Sequence, residues 1–92
     1  MMLPDEIKIG STTWRIFFVS DEALSGSCGD SNRKTQTIRI NREMPQEAQE
    51  VTFFHEALHA VCTELNHPLV ETLGVLLHQV FSHVNKVKRQ KK

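Results

Sequence analysis

Two histidines four residues apart, His55 and His59, enclose Glu56 in an H-E-x-x-H pattern. On an α-helix, residues four apart lie one above the other on one face, so both imidazoles can turn a nitrogen toward a single ion. Glu56 lies one residue round the helix, beside such an ion rather than bound to it. This layout is typical of a zinc-bound water that attacks a peptide carbonyl while a carboxylate takes its proton. The pattern therefore predicts a zinc-dependent peptidase, with His55 and His59 as metal ligands and Glu56 as general base.

A catalytic zinc usually has three protein ligands and one open position, so a third ligand must come from another part of the chain. Glu71 is the best candidate, because it closely follows Pro68, where a second helix begins, and so can face back toward the first helix. Gly74, one turn further on, would let the two helix backbones approach each other closely. A solvated carboxylate favoured by the helix dipole is the alternative interpretation of Glu71.

Three other side chains are rivals of Glu71 for this role: His67, His78 and Cys62. His67 is not the third histidine of a metzincin, because that motif needs glycine at position 62 and histidine at position 65, and neither is present. His78 lies about 10 Å along the helix axis from Glu71, so both could bind one ion only if the helix were kinked. Cys62 shares the face of the motif histidines, although a cysteine on an apolar face is more often part of the core.

Alternating apolar residues in the first half of the chain predict a small sheet. Two short strands, near residues 7–9 and 14–18, are separated by a turn at Gly10. A further strand covers residues 35–40 and should form a hairpin with the segment around Cys28. We therefore expect three or four strands within about residues 6–41.

Helical spacing predicts two helices after the sheet. The motif helix is expected to begin at Pro45, since proline suits the first helical position, and to run to about residue 65. A second, amphipathic helix should run from about residue 68 to 88, and the short link makes the two helices pack antiparallel. The expected fold is a single zincin-like α+β domain over residues 1–92, with the sheet packed on two helices. The stripe of the motif helix consists of Val51, Phe54, His55, Leu58, His59 and Cys62.

The motif makes a protein or peptide the expected substrate, and charge and cysteine content favour a cytoplasmic setting without a membrane partner. Basic and acidic residues number 11 each, so no whole-chain field attracts a membrane or nucleic acid, and nucleic acid is the least favoured partner. A basic tail up to residue 92 is expected to be solvated. Cys28 and Cys62 are too few for a disulfide framework and are interpreted as reduced thiols. No signal-peptide pattern or membrane-length apolar run is present in the sequence.

Residues 52–61 and 71–74 resemble the gluzincin-type zinc metallopeptidases. The resemblance is greatest to the minimal ImmA/IrrE-like metallopeptidases, which are often found in phages and mobile elements. It extends over about residues 26–80, and the H-E-x-x-H pattern is its specific part. The order of strand, helix and helix agrees with this family.

This resemblance implies a site and a way of binding substrate. His55, His59 and Glu71 would hold Zn²⁺, and Glu56 would be the general base. The strand near Ile38 would offer its edge to an extended peptide substrate.

One departure from the family concerns the group that stabilises the transition state. Zincins often place a tyrosine or histidine near the oxyanion, and this chain contains no tyrosine. His78 is the candidate for this role, with His83 and His67 as alternatives, or the zinc alone could polarise the carbonyl.

The same ligands also fit a different class of function. A non-catalytic protein-binding module would use the zinc for folding energy, with the sheet edge or the basic tail meeting a partner. A histidine pair in the core that binds no metal is the third possibility, and the glutamate within the motif weighs against it.

Overall fold

The computed structural model describes residues 2–62 and 65–90, of which residues 84–90 are described by their backbone alone. It has the expected α+β fold, with a four-stranded sheet followed by two helices. The elements are β1 (Glu6–Ile9), β2 (Thr12–Val19), a 3₁₀ turn (Glu22–Leu24), β3 (Gly29–Asn32), β4 (Thr37–Asn41), α1 (Gln46–Val61) and α2 (His67–Gln90).

The strands lie in the order β1-β2-β4-β3. The β1–β2 and β3–β4 pairs are antiparallel hairpins, and β2 runs parallel to β4. β4 therefore has a neighbour on each side, so the prediction that the strand near Ile38 offers a free edge is wrong. Ile38 and Ile40 are fully buried, and β4 takes a central place because the hairpin with β3 leaves its second edge to β2. β3 is the outer strand at this end of the sheet.

The core lies between the sheet and α1. Burying a large apolar side chain contributes about 1.5–3 kcal/mol, so a cluster of this kind supplies much of the stability of a small domain. The cluster consists of Trp14, Ile16, Ile38, Ile40, Phe53 and Ala60.

α1 turns a different face toward the sheet from the stripe that the sequence predicted. The predicted stripe is only half-buried, whereas Thr52, Phe53, Glu56 and Ala60 are buried. In this orientation α1 lies close to β3, since a Cβ added to Gly29 would lie 2.8 Å from Cγ2 of Thr52. The motif glutamate thus faces the sheet, and the motif histidines lie at the boundary between the sheet and α2.

The helix ends differ slightly from the predicted ones. Pro45 precedes the first helical residue, with an extended ψ of 152°, and α1 ends at Val61 because Cys62 is extended. Asn66 caps α2, since its Oδ1 accepts a hydrogen bond of 2.9 Å from the N–H of Leu69. The predicted continuation of α1 through residues 63–64 lies outside the described residues, as do the side chains of the basic tail.

The two helices pack antiparallel, as expected, because residues earlier in α1 contact residues later in α2, and residues later in α1 contact residues earlier in α2. Phe54 stacks on Phe81 with ring centroids 5.4 Å apart, while His55, further along α1, lies against Gly74, earlier in α2. Both cysteines are free thiols. Within the described ranges, neither helix is long and apolar enough to cross a membrane.

Candidate metal centre

The two motif histidines meet on the half-buried face of α1. Their Nε2 atoms are 3.1 Å apart, and the ring centroids of His55 and His59 are 4.8 Å apart. One helical turn separates them, so the regular backbone of α1 is sufficient to bring both rings to one point.

His67 joins this pair from the first residue of α2. Its ring centroid lies 5.0 Å from that of His55 and 5.8 Å from that of His59. One nitrogen from each of the three rings lies within 4.8 Å of the others. We call His55, His59 and His67 the histidine cluster. The sequence signal for the third member was its position at the chain reversal before Pro68, where it starts the helix that packs on α1.

Glu71 lies one turn after His67 and outside the histidine cluster. Its Oε1 is 3.8 Å from Nε2 of His67, and its side chain is 65% exposed. It lines the same cavity as His55, Glu56 and His67, so the structure places it beside the cluster.

Gly74 allows the start of α2 to come this close to α1. A Cβ at this position would lie 3.3 Å from the backbone nitrogen and 3.4 Å from Cα of His55. The first of these contacts is tight, so the backbone of α1 would have to move by a few tenths of an ångström to accept a side chain at Gly74. The absence of a side chain at Gly74 therefore helps to hold His67 and Glu71 near the motif.

Glu56 is buried beside the cluster, and burial raises the pKa of its carboxyl group. A hydrogen bond with Ser31 of β3 acts in the opposite direction and stabilises the carboxylate. The glutamate lines a cavity of about 770 Å³ together with His55 and His67. A volume of this size is in the range of ligand sites, which is roughly 300–1,000 Å³.

The chemistry of the donor set suits a transition metal such as zinc. Burial lowers the pKa of His55, and the neighbouring His59 and His67 lower it further, against an opposing effect of Glu71. The neutral imidazole is the form that binds a metal, so this environment favours the ligand state. Three imidazoles with a nearby carboxylate are a common donor set for zinc.

His78, the predicted stabiliser of the transition state, lies elsewhere. Its ring is buried against Glu50, with His78 Nε2 2.7 Å from Glu50 Oε1 and 3.3 Å from Oγ of Ser82. These residues line a separate cavity, which the exposed His83 also borders. The structure does not bring His78 to the histidine cluster, because it lies three turns beyond His67 on α2 and is bound to Glu50.

A mixed sheet, a helix that carries H-E-x-x-H and a second helix that closes the cleft define a metallopeptidase-like domain. Residues 15–79 match the family Peptidase_M78, described as the IrrE N-terminal-like domain. The chain belongs to this family, which confirms the ImmA/IrrE-like resemblance. The matched segment runs from β2 to the middle of α2 and includes the histidine cluster and Glu56.

Comparison with curated proteins and with solved structures gave no match to this chain.

Proposed function

We propose that this protein is a zinc-dependent peptidase that hydrolyses peptide bonds. One observation carries the proposal: the buried Glu56 lines a cleft between α1, α2 and the outer strand β3 together with His55 and His67, and both of these imidazoles lie close to that of His59. Membership of a peptidase family supports the same reaction class.

In this proposal His55 and His59 hold the zinc, and the start of α2 completes the ligand set. Glu71 is the ligand that the sequence favours. The distances favour His67, because its nitrogen lies within 4.8 Å of the ligand atoms of both motif histidines. Glu71 then acts on His67, since a carboxylate beside a ligand histidine orients the ring and increases its basicity.

Glu56 is the proposed general base. A zinc ion in this site would supply Lewis acidity and lower the pKa of water to about 7. Glu56 would accept a proton from the attacking water and deliver it to the leaving amine. Ser31 keeps the carboxylate in place through its hydrogen bond, so the outer strand and the base are linked.

β3 is the proposed docking strand for an extended substrate. It is an outer strand, and Gly29 at its start lines the same cavity as Glu56. A peptide that added to this edge would gain main-chain hydrogen bonds and pass the base.

The decisive test is Glu56→Gln. The variant should bind zinc as the wild type does, while its cleavage of an unfolded protein substrate falls by about 10²–10⁴-fold, the usual contribution of a general base. Glu47→Gln is the matched control, because Glu47 lies exposed on the same helix. Unchanged hydrolysis in a zinc-loaded Glu56→Gln sample would contradict the proposal.

A second candidate, the zinc-stabilised protein-binding module, has one observation in its favour. The histidine cluster joins α1 to α2, so a metal there would cross-link two helices and add folding energy. Cleavage of a substrate by the metallated wild type, but not by Glu56→Gln, would exclude this alternative.

A further inference from the structure

A second, smaller cavity lies beside His59. It has a volume of about 250 Å³ and is lined by Trp14, Ser31, Arg33, His59 and Ala60. This is below the roughly 300–1,000 Å³ of a site for a whole small molecule. Its size suits one side chain of a larger ligand.

Arg33 is the cationic group of this cavity, and the backbone holds it there. It lies in the turn between β3 and β4, where Oδ1 of Asn32 accepts hydrogen bonds from the N–H groups of Lys34 and Thr35. Nη2 of Arg33 donates a bond of 2.9 Å to the carbonyl of Ala60, near the end of α1. A guanidinium has five N–H donors, so this bond anchors the group and leaves donors for a ligand.

Among the described residues, no carboxylate forms an ion pair with Arg33. The nearest acidic residue in sequence, Asp30, is bound to Arg39 on β4. Within the described part of the chain, the guanidinium of Arg33 thus has no acidic partner to displace before it binds a ligand carboxylate. Guanidinium groups recognise carboxylates through paired, charge-assisted hydrogen bonds.

The outer strand connects this cavity to the proposed site. Gly29, at one end of β3, lines the large cavity, whereas Ser31, two residues on, lines the small one and bonds to Glu56. His59 lines the small cavity directly. An extended peptide along β3 would thus pass the base with its neighbouring side chains facing the two cavities.

We infer that Arg33 selects substrates by binding a carboxylate next to the cleaved bond. The carboxylate comes from an Asp or Glu side chain or from the C-terminus of the substrate. The inference rests on the proposed peptidase function and adds a substrate class to it. A charge-assisted pair of this kind should favour an acidic peptide over its amide counterpart roughly 10- to 100-fold.

The experiment uses the zinc-loaded protein and peptides that differ only in charge. One series carries Glu, Gln or Lys at each position in turn, and a second compares a free C-terminal carboxylate with an amide. The ratio of kcat/KM for Glu over Gln peptides should be high in the wild type and fall to about one in Arg33→Gln, and Arg33→Glu should favour Lys. A preference for Glu at an internal position would identify a side-chain carboxylate as the ligand of Arg33, whereas a preference for the free C-terminus over the amide would identify the terminal carboxylate.

Control variants separate recognition from folding. Arg33 also supports the end of α1, so Arg33→Lys, which keeps the charge but loses the paired geometry, should retain part of the preference. Arg42→Gln changes an exposed arginine away from both cavities and should leave the ratio unchanged. Melting temperatures of all variants show whether they are folded.

A binding measurement distinguishes failure of this inference from failure of the proposed function. Trp14, the single tryptophan of the chain, lines the small cavity, so its fluorescence reports binding there without turnover. In Glu56→Gln, acidic peptides should bind more tightly than amides, and Arg33→Gln should remove the difference. Cleavage by the wild type with no acidic preference would overturn the inference alone. If no peptide is cut, the proposed function fails, and equal binding of acidic and amide peptides would overturn the inference as well.

Discussion

His67 and Glu71 occupy consecutive turns at the start of α2, yet the structure gives them different relations to the motif. His67 lies within the histidine cluster, whereas the exposed Glu71 contacts the cluster through His67. Because a helix turns about 100° per residue, residues 67 and 71 share a face, and only the packing of α2 on α1 determines which one is nearer.

At the residue scale we predict that His67→Ala weakens zinc binding more than Glu71→Gln does. Loss of a residue that orients a ligand usually lowers metal affinity by about 10- to 100-fold. Loss of a ligand itself should lower the affinity by more than this. Competition with a chromogenic chelator measures both affinities. His83→Ala, at an exposed position of the same helix, is the control. A larger loss in Glu71→Gln than in His67→Ala would make Glu71 the third ligand.

The buried contact between Glu50 and His78 is a second feature of single residues with a measurable effect. Burial by itself would raise the pKa of Glu50, and hydrogen bonds from Gln46 and His78 help to bring its pKa below the ordinary value. A carboxyl group whose pKa is lower in the folded protein adds stability above its unfolded pKa of about 4.3, and this stability is lost as the pH falls through the folded pKa.

We therefore predict that Glu50→Gln lowers stability at pH 7 and flattens the acid limb of the stability curve. The neutral amide cannot titrate, and the weaker contact with His78 should cost about 1–3 kcal/mol. Thermal unfolding from pH 7 down to pH 3 measures both effects. Glu47→Gln, on the exposed face of α1, should follow the wild-type curve. If the acid limb of Glu50→Gln is parallel to that of the wild type, the carboxyl group of Glu50 does not contribute to the pH dependence of stability.

At the scale of elements, the position of β3 depends on a glycine. A Cβ on Gly29 would lie 2.5 Å from the carbonyl oxygen of Arg39 and 2.8 Å from Thr52. The first contact is with backbone and cannot be relieved by rotating a side chain. β3 thus lies close to both β4 and α1, which brings Ser31 within reach of Glu56.

We predict that Gly29→Ala destabilises the protein by about 1–3 kcal/mol, the usual cost of overpacking. Chemical denaturation measures the free energy of unfolding. Cys28→Ala, at the exposed neighbouring residue, should change it by less than about 0.5 kcal/mol. Equal stability of Gly29→Ala and the wild type would mean that β3 can move away from α1.

For the whole molecule, a metal that joins α1 to α2 should couple zinc to folding. The two helices supply different members of the histidine cluster, and the buried core between the sheet and α1 is small. A ligand that binds only the folded state adds about 2.7 kcal/mol at a concentration 100 times its Kd.

We predict that removing zinc with a chelator lowers the melting temperature, and that restoring zinc returns it. The shift should be much smaller in a His55→Ala, His59→Ala double variant, because that protein lacks both motif ligands. Scanning calorimetry with and without chelator provides the measurement. An identical shift in the double variant would assign the effect to another site.

Local spacing in the sequence was enough to predict the order of strands and helices along the chain, the shared face of His55 and His59, and the family. These features depend on residues close together in the chain, whose geometry an α-helix or a strand already defines. The tertiary structure decided the features that depend on how separate elements pack. It made β3 rather than β4 the outer strand, brought His67 to the motif histidines, and placed Arg33 beside the cleft. No local pattern encodes these distances, because each arises from contacts between segments that are distant in sequence.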